Sequence, residues 1–333
     1  MTANGEPGNM PAADVEIDDT LVRELLDHAV AHHGLDPELA SRDLQLVANG
    51  WDNRLYRLGA EHVVRLPRRA LAVELMVNEQ RWLPQLAPDL PIPIPVPVFA
   101  GLPSPMFERP WSIVPWFDGE PLGDRSMPEV SMVIGDRLAS DLANFLHCLH
   151  RPAPSDAPFN PFRGLPLTSR AERTVAHLSP GSAAMAAVGS EQAAGRLRVV
   201  WAKALDQPRW AGGNRWLHGD LHPLNMIWHE DRLAAVIDFG DICGGDPATD
   251  LAVAWCVFPD PVQRQHFQSL ARIDNEPVDT ATWHRAAGWA LCVACAIAAG
   301  SADHPALDRL SRRTLRALAG RDQGEPGDHG QVG

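Results

Sequence analysis

The sequence predicts an α+β fold of two lobes, a small antiparallel sheet followed by a mainly helical remainder. Short apolar runs at 44–47, 53–58 and 62–66 are separated by the turn-forming Asn49-Gly50-Trp51-Asp52 and Gly59-Ala60-Glu61, which is the pattern of a strand meander. Residues 130–150, 190–205, 249–257, 263–273, 282–300 and 306–319 then supply helical segments. A chain of 333 residues is also long enough for two units with substantial cores.

In chain order, the polar, Gly/Pro-rich residues 4–11 form a loose start, and Asp18 or Asp19 can cap a helix carrying Leu21, Leu25, Leu26 and Val30. After the first strands, Leu71, Leu75, Glu79, Trp82 and Leu86 recur at three- or four-residue steps, so 70–86 reads as a helix. The prolines of 88–97 cannot continue it, because they lack donors and fix the backbone. That stretch is expected to pass over the small lobe.

Residues 107–115 read as a further strand leading into the hinge Trp116-Phe117-Asp118-Gly119-Glu120. This divides the chain into an N-terminal lobe at 1–115, with its helical extension, and a C-terminal lobe at 116–321. Residues 322–333 are polar and glycine-rich and read as a disordered tail. The proline-rich loop 151–166 is long enough for a lid or partner contact, and equally serves as a connector. Strands are expected at 227–228 and 236–239.

An apolar fraction of 45% and a charged fraction of 21% fit a soluble globular protein. The formal charge of -13 argues against a nucleic-acid surface and permits a cationic substrate. Residues 1–19 lack the basic start and apolar core of a secretion signal, and the apolar run 289–299 is too short to span a bilayer. The expectation is a soluble, cytoplasmic protein without nucleic-acid or membrane partners, its oligomeric state open. Cys292 and Cys295 form a CxxC inside an apolar helix with no second pair, so structural thiols are expected in place of a metal or redox pair.

Function is concentrated in His218-Gly219-Asp220-Leu221-His222-Pro223-Leu224-Asn225 and the following Ile237-Asp238-Phe239-Gly240-Asp241. With Asp220 five residues before Asn225, one loop offers a carboxylate to an attacking hydroxyl and an amide to a metal. Asp238 brings a second carboxylate that can bridge to magnesium on a triphosphate. Positioning and neutralisation of phosphate charge supply most of the catalysis in phosphoryl transfer, which accounts for the three groups. Magnesium's hardness accounts for oxygen donors. His218 and His222 are expected to organise the loop by hydrogen bonds.

With these motifs the chain resembles the aminoglycoside phosphotransferase family, which includes macrolide phosphotransferases and related small-molecule kinases; the resemblance runs from about Leu44 through Ala254. It implies a protein-kinase-like fold, with Asp220 as the catalytic residue and Asn225 and Asp238 as Mg2+ ligands. It also implies ATP or GTP as phosphate donor, with the N-terminal lobe as the nucleotide-binding lobe. Gly50 and Asn53 match the nucleotide-covering loop, although the segment is neither a Walker A motif nor a protein-kinase glycine-rich loop. Arg65 and Glu79 match the basic residue and its glutamate partner, with arginine in place of the usual lysine. Val114 and Trp116 fall where hinge carbonyls and amides meet the purine. In Gly244-Gly245-Asp246-Pro247-Ala248-Thr249-Asp250, Asp250 is expected to cap the next helix and Asp246 to hold the turn against the 218–225 loop.

The implied acceptor is a hydroxyl of a small molecule, an aminoglycoside or macrolide antibiotic, which would make the chain an antibiotic-resistance factor. A sugar, amino sugar or amino alcohol metabolite is the alternative, and a regulatory nucleotide-binding pseudokinase a further one. Asp118, Glu120, Asp260, Asp274, Glu276 and Asp279 could attract a cationic acceptor, and solvated surface acids explain them equally.

Overall fold

The computed structural model describes residues 12–123, 132–300 and 304–320. Its first helix, α1 (Asp19–His33), starts where Asp18 Oδ1 accepts from the Leu21 amide at 2.8 Å and stops at Gly34 in the left-handed region, φ +72°. The short α2 (Pro37–Ala40) follows, capped by Asp36. Strands β1 (Leu44–Asn49), β2 (Asn53–Leu58) and β3 (His62–Pro67) form the expected meander. After α3 (Leu71–Leu86), strands β4 (Phe99–Gly101) and β5 (Trp111–Pro115) complete an antiparallel five-stranded sheet ordered β1-β2-β3-β5-β4. Alternation aims Tyr56, Leu58, Val64, Leu66, Trp111 and Ile113 at one face, where Leu25 and Leu26 of α1 cover them.

Helix α3 joins this lobe to the next. Gln80 donates to the Trp111 carbonyl at 2.8 Å and to Ser112, tying the helix to β5. Its C-terminal residues Trp82, Leu83 and Leu86 instead enter the larger core. The proline-rich segment goes the same way, contrary to expectation. Ile92 and Ile94 are buried in the large-lobe core, and the Pro93 carbonyl accepts from the Val236 amide at 3.0 Å. The apolar side chains between the prolines decide its course, since they find a larger core on that side.

The large lobe comprises β6 (Glu120–Pro121), α4 (Met132–Leu149), α5 (Ala171–His177), α6 (Ala183–Val188), α7 (Glu191–Leu205), β7 (Arg215–Leu217), β8 (Met226–His229), β9 (Arg232–Val236), β10 (Cys243–Gly245), α8 (Ala248–Leu251), α9 (Val253–Val257), α10 (Pro261–Leu270), β11 (Arg272–Ile273), β12 (Glu276–Pro277), α11 (Thr280–Gly300) and α12 (Pro305–Ala319). Helices α4, α7, α11 and α12 enclose a core in which Phe145, Trp289, Phe258 and Phe267 are fully buried. None of the described helices is long and apolar enough to cross a membrane. The five cysteines are free thiols; within α11, burial pushes Cys295 up to about 12, which fits a packing role.

Several expectations need correction. The strand expected at 236–239 ends at Val236, because Asp238 has φ +64°, which no extended strand can contain. Residues 249–257 divide into α8 and α9, and α10 stops at Leu270 to let 272–277 form a hairpin. The tail 322–333 and the loose start 4–11 lie outside the described residues.

Candidate active site

The loop after β7 is fixed from beneath by one buried carboxylate. Asp250 Oδ2 accepts from the His218 amide at 2.8 Å and Oδ1 from the Gly219 amide at 2.9 Å, while His150 Nε2 lies 3.3 Å from Oδ2. Sequence reasoning had these roles exchanged. Asp250 sits inside α8 and holds the loop, whereas Asp246 accepts from the Ala248 amide and pairs with Arg285 at 2.7 Å. Gly219 has φ +85°, and a Cβ there would lie 2.4 Å from the Asp241 carbonyl oxygen. Gly219→Ala is therefore expected to cost at least about 1–2 kcal/mol from the left-handed backbone alone, and to displace the loop; a urea unfolding curve alongside initial rates checks both effects.

His218 accepts from the Asp220 amide through Nδ1 at 3.2 Å, so its Nε2 carries the proton and donates to the Ile237 carbonyl at 3.0 Å. Its ring packs on Phe239 with centroids 4.5 Å apart. One imidazole thus joins the 218–225 loop to the segment bearing Asp238. Asn225 closes the loop from the other end. Its Nδ2 donates to the Asp220 carbonyl at 2.9 Å, leaving Oδ1 as the acceptor end, and its own carbonyl accepts from Ile237 at 2.9 Å. Asp238 is exposed at the end of that connection.

The Asp220 carboxylate has partners on both oxygens. Arg163 Nη2 lies 2.8 Å from Oδ1, and His222 Nε2 3.3 Å from Oδ2. Burial would raise the carboxyl pKa, but the charges of His222 and Arg163 outweigh it and hold the group well below its ordinary value. Reciprocally, burial disfavours the His222 cation, yet Asp220 keeps that imidazole above its usual value. Arg163 and Asn160, on the 151–166 loop, were not anticipated. Asn160 Nδ2 donates to Asp241 Oδ1 at 2.6 Å, and its Oδ1 accepts from the amides of Phe162 and Arg163. An isolated arginine in an aperiodic loop carries no local signal of such a contact.

At the other end, Arg65 on β3 pairs with Glu79 on α3 at 2.9 Å, with side-chain exposures of 10% and 2%. Burial raises the Glu79 pKa against the opposing effect of Arg65. The β1–β2 turn is closed by the Gly50 amide donating to the Asn53 carbonyl at 2.9 Å, and Asn53 Oδ1 is buried without a hydrogen-bond partner in the structure. Asp52 pairs with Arg69 at 3.1 Å; burial, then the charges of Asp238 and Asp241 working against Arg69, raises its pKa. Val114 is buried in β5 opposite Val63. Trp116 needs correction: its amide donates to the Glu61 carbonyl at 2.7 Å and Arg57 covers its ring at 4.2 Å, so that amide is not free for a purine.

The acids proposed for a cationic acceptor do not converge. Asp118 and Glu120 are exposed beyond β5, and Glu276 is exposed on the β11–β12 hairpin. Asp260 caps α10, accepting from the Val262 and Gln263 amides, and Asp279 caps α11 by accepting from Thr282. Asp274 makes a two-pronged ion pair with Arg215 at 2.8 and 2.6 Å. Helix capping and ion pairing occupy the last three.

Residues 43–289 match the model of the phosphotransferase enzyme family. The chain belongs to this family. No curated protein sequence is significantly similar to the phosphotransferase. Among solved structures, the GDP complex of wild-type aminoglycoside 2'-phosphotransferase-IIIa is similar with a TM-score of 0.62 and 18% identity, covering 88% of this chain and 98% of that one. Macrolide 2'-phosphotransferase MphH from Brachybacterium faecium aligns with a TM-score of 0.54 and 20% identity over 88% and 97% of the two chains. A type I macrolide 2'-phosphotransferase gives 0.56 and 21% over 89% and 97%. The phosphotransferase thus has the two-lobed kinase-like fold.

In this chain Asn225 and Asp238 carry oxygen donors, and among the described residues no three His, Cys, Asp or Glu side chains form a metal site by themselves. This donor set fits Mg2+, which takes one or two protein oxygens and completes its shell with phosphates and water. A self-sufficient cage of the zinc or calcium kind would need more ligands than these.

Proposed function

We propose that this phosphotransferase transfers the γ-phosphoryl group of ATP or GTP, with Mg2+, to a hydroxyl of a macrolide-like acceptor. The observation that carries the reaction is the joint fixing of Asp220 and Asn225. One loop holds the Asp220 carboxylate, its pKa held down by His222 and Arg163, and the Asn225 amide, whose Nδ2 is taken up by the Asp220 carbonyl and whose oxygen is outside that bond. Mg2+ bound by Asn225 and Asp238 would neutralise phosphate charge. Asp220 would orient the acceptor hydroxyl and take its proton as the oxygen–phosphorus bond forms and the bond to the β-phosphate oxygen breaks. Arg65, held by Glu79, supplies positive charge for the nucleotide phosphates. Because ATP and GTP are cytoplasmic pools, the proposal places the reaction there.

What surrounds Asp220 supports this acceptor class. A recess of about 20 Å³ beside it, room for one methyl- or water-sized group, is lined by Leu221, Ala252, Ala290, Val293, Ile297 and Leu310 together with His222, Thr249, Ser311 and Thr314. The charges touching the carboxylate are Arg163 and His222, which would disfavour an ammonium group next to the reacting hydroxyl, while Asp238 and Asp241 lie further along the site and Asp246, Asp250 and Asp274 are committed within the protein. A hydroxyl-bearing compound with alkyl substituents suits this setting better than a polyamine sugar. Product mass spectrometry after incubation with Mg2+, ATP or GTP, and erythromycin, kanamycin or an amino sugar tests it. The expected product is phosphorylated erythromycin with no kanamycin phosphate. Phosphorylation of kanamycin or the amino sugar alone would overturn the acceptor assignment.

A further inference from the structure

Arg163 reaches the site on a loop that is built to hold it. Asn160 accepts the amides of Phe162 and Arg163 and donates to Asp241, so one side chain fixes the loop backbone and joins it to the segment after Asp238. Thr249 Oγ1 donates to the Arg163 carbonyl at 3.3 Å, and Gly164 packs so closely on β10 that a Cβ on it would lie 2.9 Å from the Gly244 carbonyl oxygen. The guanidinium is mostly buried, with Nη2 2.8 Å from Asp220 Oδ1 and Nε 3.9 Å from Asp241 Oδ2. The buried Nε has no hydrogen-bond partner in the structure. A desolvated cation so anchored is costly unless its position is used, because two ions leave water for the pair.

We propose that Arg163 is a positioning residue for phosphoryl transfer, holding the Asp220 carboxylate in one orientation beside the acceptor hydroxyl. This rests on the reaction proposed above. Three points support it. The planar guanidinium engages Asp220 from a separate loop anchored by Asn160 and Thr249, whereas His222 belongs to the same loop as Asp220. Pairing weakens Asp220 as a base, which costs little in a loose transition state where the hydroxyl proton leaves late. Without Arg163, the partly exposed carboxylate, 30% accessible, would be held only by its long contact with His222. The loop also displays Phe159 and Phe162, 71% and 54% exposed, on either side of the Asn160 clamp.

The test compares wild type with Arg163→Ala, Arg163→Met and Arg163→Lys, measuring kcat and KM for nucleotide with erythromycin as acceptor and, separately, with water as acceptor through slow nucleotide hydrolysis. The methionine variant preserves the packed stem should the alanine variant fail to fold. Removing the guanidinium is expected to lower kcat about 100-fold in both reactions, with nucleotide KM little changed, partial activity in the lysine variant, and recovery of Arg163→Ala by added guanidinium. Rates within about threefold of wild type in the alanine and methionine variants overturn the proposal alone. Loss of kcat with a matching rise in nucleotide KM and no recovery also overturns it, as a purely structural role. A wild-type protein that neither transfers nor hydrolyses phosphate overturns the phosphotransferase reaction and the proposal together.

Discussion

Asp220→Asn is expected to reduce phosphoryl transfer at least about a thousandfold, within the range that a positioned proton acceptor supplies, while nucleotide affinity stays near that of wild type. The amide keeps the shape of the side chain and the bond that the Asp220 backbone makes with Asn225, so the loop survives. It cannot receive the hydroxyl proton, and it loses the charge that Arg163 and His222 now stabilise. Arg163 is left with Asp241 3.9 Å from its Nε, which limits the loss of stability. Initial-rate kinetics with isothermal titration of the nucleotide separates the two effects. Turnover within tenfold of wild type would exclude Asp220 from proton handling.

Asp250→Ala is expected to produce the largest structural loss, on the order of 3–5 kcal/mol, the range for breaking a buried charged network, together with loss of transfer. Asp250 is fully buried and satisfies two consecutive amides at the base of the 218–225 loop, with His150 beside it. Truncation would leave both amides buried without their acceptor. Asp250→Asn recovers only part, because its NH2 end would oppose one of the amides. Urea unfolding monitored by tryptophan fluorescence reads the stability change directly. A change below about 1 kcal/mol would show that the loop has another support.

What the sequence revealed was whatever short-range pattern controls. Alternating apolar residues in 53–66 gave the meander, and the three- and four-residue steps of 71–86 gave α3, because strand and helix periods are local. Asp220, Asn225 and Asp238 were proposed from two short motifs, and the Arg65–Glu79 pair, which came from the resemblance, is formed. Tertiary packing decided the remainder. Asp246 precedes α8 and Asp250 lies inside it, four residues on, and only the approach of Arg285 to one and of the His218 and Gly219 amides to the other separates their roles. The Trp116 amide was lost to Glu61 across the sheet, and Asp274 to Arg215, 59 residues earlier. Arg163 lies 57 residues before Asp220, in a loop whose sequence has no period to betray the contact.

The most direct measurement follows a radiolabelled γ-phosphate of ATP or GTP incubated with the protein, Mg2+ and erythromycin, beside the Asp220→Asn variant. The account predicts that label leaves the nucleotide and appears covalently on the macrolide with wild type, depends on Mg2+, and stays on the nucleotide with the variant. Label that never reaches an organic acceptor, or that reaches it equally well with Asp220→Asn, would contradict a phosphoryl-transfer site built around Asp220, Asn225 and Asp238.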